Sequence, residues 1–290
     1  EAKRSRARAR LEEYRTEAGE AYPEVGAELS EIALRIGGGR LLYDYPFYEH
    51  LVRRSALTVV HTESAREEIL SRCASFPAGR VRRIRMGTPR PPIVPRDEAR
   101  RRLGLPAGAL LLASFGLVTP EKRISTVLRA LARLKAAGVR ATYLLVGGAV
   151  PHYDPLAEAR KLGVAEEVCL VGRVPEDEFR LHAFASDLCL NLRYPSAGET
   201  SATLLTLLAC GRPVLLTDQV HVRDFPDAVV ARSPLEGEAD GLYCDLMDLI
   251  RCERRRRELG EAARRYAETE ASPEAMAADY LALFEAEATL

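Results

Sequence analysis

The chain has 290 residues, 47% of them hydrophobic and 29% charged, and its 42 basic and 42 acidic side chains balance to zero. That length accommodates two domains with ordinary cores, and the charge balance excludes a general binder of nucleic acid or anionic membrane. No apolar run reaches the about 18 residues of a membrane span, and the leading EAKRSRARARLEEYRTEAGE lacks the apolar centre of a secretory signal.

This leading segment (1–20) has the spacing of an exposed, solvated helix. AELSEIALRIGGGR (27–40) is predicted as a helix stopped by its glycines, and a tyrosine-rich loop follows. The helix-like YPFYEHLVRRS carries His50. After it come ALTVVH (56–61), a strand ending at His61, and VRRIRM (81–86), with a helix between them. One strand–helix–strand unit is too little for a complete open sheet, so residues 1–87 read as the closing part of an N-terminal domain. In GTPRPPIVPR (87–96) the prolines can neither continue a helix nor donate to a ladder; 88–96 is the predicted linker, extended and stiff.

RDEARRRLGLP then reads as a short helix closed by Gly104. Continuous apolar runs follow at 109–116, 141–148, 167–172, 187–192 and 213–218. Helical segments lie between them, such as KRISTVLRALARLKAAG (122–138), with Ile124, Val127, Leu128, Leu131 and Leu134 on one face. Apolar strands alternating with helices predict an α/β domain over 97–272, a doubly wound parallel sheet covered on both sides. The end of the chain reads as two helices, the second opening after Ser272-Pro273 and occupying 273–290, where it could pack back on the N-terminal domain. Of the six cysteines, none forms a C-x-x-C pair; Cys169, Cys189 and Cys210 lie in apolar runs and read as core residues of a reducing, cytoplasmic protein.

In an open parallel sheet, ligands bind beyond the carboxyl ends of the strands, so residues just after a strand are the candidates. Four clusters qualify. FGLVTPEKRI places Gly116 and Leu117 at a strand end and Lys122 and Arg123 at the next helix start, an arrangement suited to phosphate oxygens or equally to a solvated helix terminus. LLVGG puts Gly147 where backbone can approach a ligand closely, or where a plain turn is needed. CLVGRVPEDEF offers Arg173 and Val174 to a base edge, or equally forms an ordinary strand–turn–helix. RYPSAGETSATLLTLLACGRPV sets Gly198, Glu199, Thr200 and Ser201 before an apolar helix, predicted to be buried and to begin around 199–201. The N–H groups and positive potential of its first turn face outward to a ligand, or Thr200 and Ser201 serve only to cap the helix. His221, after PVLLTD, is the histidine best placed to approach a ligand.

Together and in this order, these clusters resemble the donor-binding half of retaining GT-B glycosyltransferases of the group 1 family (family 4), over roughly residues 55–285. The pattern G-R-L-x-x-x-K matches Gly116-Leu117-Val118 through Lys122, with Leu117 in place of the arginine. The nucleobase loop F-L-G-x-V matches LVGRV (170–174), and GETSATLLTLLACGRPV resembles the G-E-T-S subset. In that alignment the first family glutamate falls at Gly198, one place before Glu199, and the second falls at Thr206.

The resemblance implies a UDP-, GDP- or ADP-linked sugar donor held by the C-terminal domain and an acceptor of unknown chemistry. It implies metal-independent transfer with retention and no cofactor, which fits a sequence that contains no D-x-D pair. Lys122 and Glu199 would be the catalytic residues, with Gly116, Leu117, Arg123, Gly147, Arg173, Val174, Gly198, Thr200, Ser201 and Thr206 around the donor. Neither His50 nor His61 sits in the context of the histidine that the family places near the reacting carbon. Leu117, Thr206 and the short N-terminal region keep a second reading open, a catalytically silent nucleotide-sugar-binding scaffold or partner module. An epimerase or phosphorylase on the same architecture is a third. Peripheral membrane association or a partner subunit is compatible with all three.

Overall fold

A computed structural model describes residues 48–288 except Ala74 and, before them, residues 13, 15–20, 22–26, 28 and 45. Of the predicted leading helix, residues 15–20 are helical; most of that segment, and nearly all of the helix predicted over 27–40, lie outside the described residues. The chain divides into two compact units, one of residues 1–83 with Pro195–Glu199, the other of Ile84–Tyr194 with Thr200–Leu290.

In the first unit, α1 (Glu49–Arg54) precedes β1 (Thr58–Val60), α2 (Glu63–Arg72) and β2 (Val81–Arg83). The two strands pair in parallel, Thr58 opposite Val81. α2 starts where the Thr62 hydroxyl accepts the Ala65 N–H at 3.2 Å. Val52, Ile69, Cys73, Phe76 and Val81 form its small core. The predicted strands at 56–61 and 81–86 are thus present but half as long, because only Thr58–Val60 and Val81–Arg83 find a partner.

The second unit opens with an extended stretch over 84–95 and then α3 (Arg96–Leu103), which ends at Gly104 with φ +66°. There follow β3 (Leu110–Phe115), α4 (Ile124–Ala136), β4 (Ala141–Val146), α5 (Pro155–Lys161), β5 (Val168–Gly172), α6 (Glu176–Ala185) and β6 (Leu188–Asn191). The unit closes with α7 (Ala202–Ala209), β7 (Val214–Thr217), β8 (Ala231–Ser233), α8 (Glu238–Arg251), α9 (Glu253–Glu268) and α10 (Pro273–Ala288). The six strands lie in the order β5-β4-β3-β6-β7-β8, all parallel. From β3 the chain winds outward to β5, then crosses back to β6 beside β3 and winds the other way. The direction reverses between β3 and β6, and in this topology the ligand crevice lies beyond the carboxyl ends of those two strands.

Successive strand residues feed opposite faces. Leu111, Ala113 and Phe115 join Leu204, Leu208 and Ala263 in one core, while Leu112 joins Val127, Leu131, Leu242 and Leu246 in the other. The Phe115 ring packs on Phe179 of α6, centroids 4.9 Å apart. At the amino edge of the sheet the buried Asp187 accepts from Arg100 Nη2 (2.7 Å), Arg96 Nη1 (2.9 Å) and the Leu111 N–H (2.8 Å), fixing α3 to the strands.

Two expectations are corrected. Cys169 is exposed while Cys189 and Cys210 are buried, because β5 is the edge strand, and Cys169 and its neighbour Leu170 are both left uncovered. The buried helix begins at Ala202, not at 199–201. It also keeps an outer stripe: Leu204, Leu205, Leu207, Leu208 and Ala209 are buried, while Ala202, Thr203 and Thr206 face outward. Among the described residues no helix is long and apolar enough to cross a membrane.

Candidate nucleotide-sugar site

β3 ends because Gly116 turns to φ +83°, a region that L side chains avoid. Its N–H reaches the Val146 carbonyl (2.9 Å), and the chain beyond stays zipped to the loop after β4 through Val118 N–H to Gly148 O (2.8 Å) and Val150 N–H to Val118 O (3.2 Å). Gly147 packs against Gly116 so closely that a Cβ on it would run into the Gly116 carbonyl, and Gly147 in turn bridges to Gly172 at the end of β5. The glycines at three adjacent strand ends therefore hold one another by backbone alone. Beyond Gly172, Arg173 is exposed and Val174 is half-buried against the core that contains Phe115.

After Gly116, Leu117 is 56% exposed and Val118 is buried. A single 3₁₀ turn, Pro120–Lys122, then sends the Lys122 ammonium back to the Phe115 carbonyl at the strand end. A Cβ on Gly116 would meet Lys122 Nζ at 3.1 Å and the Thr203 hydroxyl of α7 at 3.5 Å. The bare Cα of Gly116 thus lies between the lysine and the first turn of α7. Burial, reinforced by the nearby Arg193 guanidinium, pulls the Lys122 ammonium down to about 8 from its ordinary 10.5. A cation held in that way is the group an anion relieves.

Arg123 is the one described non-glycine residue with positive φ, +54°, a conformation that costs of order 1 kcal/mol and persists only where surroundings hold it. What holds it is visible: the side chain is buried and Nη1 donates to Thr217 Oγ1 at the end of β7 (3.1 Å). The same hydroxyl oxygen accepts the Arg193 N–H (3.1 Å). Arg123 thereby ties together the loops that follow β3, β6 and β7. His221, in the 3₁₀ turn Val220–Val222 after β7, is pushed below its ordinary value, first by burial and then by Arg193, with Asp224 opposing.

On the β6 side, Ser201 caps α7: its hydroxyl oxygen accepts the Leu204 N–H (3.2 Å) and a bond from Asn191 Nδ2 (3.4 Å). Capping satisfies one donor of the first turn and leaves others pointing outward beside Gly116. The Thr200 hydroxyl is buried without a partner among the described residues, an arrangement that costs about 1–3 kcal/mol unless something bonds it. Thr206 returns its hydroxyl to the Ala202 carbonyl (3.0 Å). Gly198 has φ +81° and open space around its Cα. Glu199 is exposed and outside the helix; its Oε2 accepts from Ser196 Oγ (3.1 Å) and the Ala197 N–H (3.0 Å), closing its own loop. Pro195–Glu199 belongs to the first unit, whereas Gly116, Lys122, Gly147, Arg173, Thr200 and Ser201 belong to the second.

Sequence reasoning passed over Arg193, Thr203 and Thr217. Arg193 stands two residues beyond the end of β6 and met the rule used for the other clusters; Thr217, the last residue of β7, gave no signal before the loops were folded together. A cavity of about 550 Å³ opens at the opposite, amino edge of the sheet, lined by Asp187 and several arginines. Those arginines serve the fold: Arg96 pairs with Asp187, Arg212 donates to the Ser186 carbonyl (2.6 Å), and Arg256 donates to the last carbonyls of α8 (2.6 Å each). Because its cations are engaged in this way and it lies away from the carboxyl ends of the strands, it is a weaker candidate than the crevice between β3 and β6. Among the described residues no group of three His, Cys, Asp or Glu side chains could hold a metal ion.

Residues 109–238 match the family model described as Glycosyl transferases group 1. Two curated relatives align over 42% and 41% of the chain: the D-inositol 3-phosphate glycosyltransferases of Rhodococcus erythropolis, 34% identical, and of Thermobispora bispora, 36% identical. The chain spans under a third of the length of each, 29% and 30%. Among solved structures, the sucrose-phosphate synthase of Thermosynechococcus elongatus superposes with TM-score 0.70 at 22% identity, over 84% of this chain and 61% of its own. Anabaena HepE in complex with UDP gives 0.71 at 15% identity, over 87% and 68%. The C-terminal domain of the Francisella tularensis group 1 glycosyl transferase LpcC is 95% covered by 63% of this chain, with TM-score 0.54 at 15% identity. The α/β fold of the chain is therefore the one found in GT-B glycosyltransferases, and its larger unit carries the group 1 glycosyl transferase match.

Proposed function

We propose that the protein transfers a sugar from a nucleotide-diphosphate-sugar donor to an acceptor, with retention of configuration and without a metal ion. The observation that carries this reading is the meeting of Lys122, Gly116 and the first turn of α7 at the reversal point of the sheet. Phosphate oxygens suit that point: a partly desolvated ammonium, outward N–H donors and a strand end with no side chain to block approach. Lys122 stabilises the charge that builds on the departing diphosphate, the principal catalytic term in such a transfer. Thr200 and Ser201 border the phosphates, and Arg123 holds the loops in place rather than binding the donor. Gly147 gives the ligand room, and the turn at Arg173 and Val174 receives the base. Gly198 and Glu199 act at the sugar, while Leu117 and Thr206 tune donor choice. UDP in the HepE complex is that protein's ligand; here it supports a nucleotide donor without fixing the base.

Melting temperature measured with UDP, GDP, ADP and their glucose conjugates tests the reading. We expect one base to stabilise the protein with slow donor hydrolysis, and Glu199→Ala to reduce hydrolysis at least tenfold with little change in nucleotide affinity. No stabilisation by any of the six would refute it. Stabilisation without hydrolysis would favour the silent binding module, the reading to which Leu117 and Thr206 point.

A further inference from the structure

The strand-end motif carries a leucine where its family pattern has an arginine, and Leu117 is largely exposed. One cation, Lys122, is left on the β3 side of the crevice to meet a diphosphate. A second enters from the opposite wall. Arg193 stands two residues beyond β6, and three hydrogen bonds fix it and its neighbour Tyr194 to two other segments. Its N–H goes to Thr217 Oγ1 at the end of β7 (3.1 Å), and its carbonyl takes Gln219 Nε2 (2.6 Å). The N–H of the next residue, Tyr194, reaches the carbonyl of Glu121 (2.7 Å), the residue before Lys122. The loop after β6 is thus stitched to the turn that bears the lysine.

We infer that Arg193 is a donor-binding residue that supplies the second positive charge for the diphosphate, in place of the arginine missing at position 117. The inference rests on the nucleotide-sugar reading above. Arg193 acts on both neighbouring loops, lowering the proton affinity of Lys122 on one side and of His221 on the other. Its charge is therefore felt between the loops after β3 and β7. Around Lys122 stand the Phe115 carbonyl, the Thr203 hydroxyl and Arg193; around His221 stand Arg193 and Asp224. Two like charges placed side by side repel each other, and an anion bound between them relieves that repulsion. A guanidinium, unlike an ammonium, can grip two phosphate oxygens at once.

The test is isothermal titration of the full chain and of Arg193→Ala and Arg193→Lys with UDP, GDP, ADP, the matching nucleosides and inorganic pyrophosphate, from pH 6.5 to 9.5. For the nucleotide that binds, we expect Arg193→Ala to weaken affinity at least tenfold and Arg193→Lys to recover part of it, with nucleoside affinity unchanged. The alkaline fall in affinity, centred near pH 8 in the parent, should move to higher pH in Arg193→Ala, because Lys122 then keeps its proton longer; a purely structural role for Arg193 would weaken nucleoside binding along with nucleotide binding. Nucleotide affinity within twofold of the parent, or an unmoved midpoint, would overturn the assignment while leaving the donor reading intact. Failure of the parent to bind any nucleotide or pyrophosphate would overturn both.

Discussion

Two residues, Gly147 and Lys122, make the sharpest demands on the chain around the site. Gly147 has no space for a side chain because its Cα faces the Gly116 carbonyl. Gly147→Ala must separate the loops after β3 and β4, at about 1–3 kcal/mol for a forced clash. We expect chemical denaturation to register that loss and nucleotide affinity to fall about tenfold, since Gly116 and Lys122 move with the loop; an unchanged affinity would mean the loop contact has no part in binding. For Lys122 the linkage has a definite sign. Its folded-state value of about 8 lies below the ordinary 10.5, so the folded chain holds fewer protons than the unfolded chain between those limits. Its charge therefore opposes folding at neutral pH, and the penalty fades as pH rises through about 8. An uncharged residue of similar length should make the ligand-free protein more stable at pH 7, at the expense of ligand binding.

At the scale of elements, the amino and carboxyl edges of the sheet do different work. The amino edge is held by Asp187, which joins Arg100 and Arg96 of α3 to the Leu111 N–H. Removing one partner of a buried pair strands the other charge, at about 3–5 kcal/mol. Asp187→Ala should lower stability by that amount in urea unfolding while the remaining folded protein binds nucleotide normally; a loss below about 1 kcal/mol would show that the cluster is not a structural tie. The carboxyl edge carries the glycine-lined strand ends and the cations. Its elements were legible wherever their signal was local. Strands such as 109–116 showed as unbroken apolar runs, and α4 showed as a face from Ile124 to Leu134. β8 escaped because three residues with a central arginine have no period, and α8 was passed over although Leu242, Leu246 and Leu249 share a helical face. Strand order is non-local, so the exposure of Cys169 on the edge strand could not be read from its apolar run.

For the whole molecule, the sequence resemblance singled out four candidate turns in the larger unit, and the fold links them in series: the start of α7 to Gly116 with Lys122, Gly116 to Gly147, and Gly147 to Gly172 before Arg173. It could not rank Arg123 against Arg193. Both are arginines beside a strand end, and only the folded loops reveal that one is committed to Thr217 while the other stands beside Lys122. Nor did the polar knot before α7 announce that Ser201 alone would cap the helix and that Glu199 would fold onto its own loop. In the proposed function, the reversal point between β3 and β6 binds the diphosphate of a nucleotide through Lys122. Calorimetric titration of the parent and of Lys122→Met with nucleoside diphosphates at pH 7, alongside their ligand-free melting temperatures, tests it most directly. We expect at least tenfold weaker nucleotide binding in Lys122→Met together with a higher ligand-free melting temperature; equal affinity in the two proteins would refute a phosphate-binding role for Lys122.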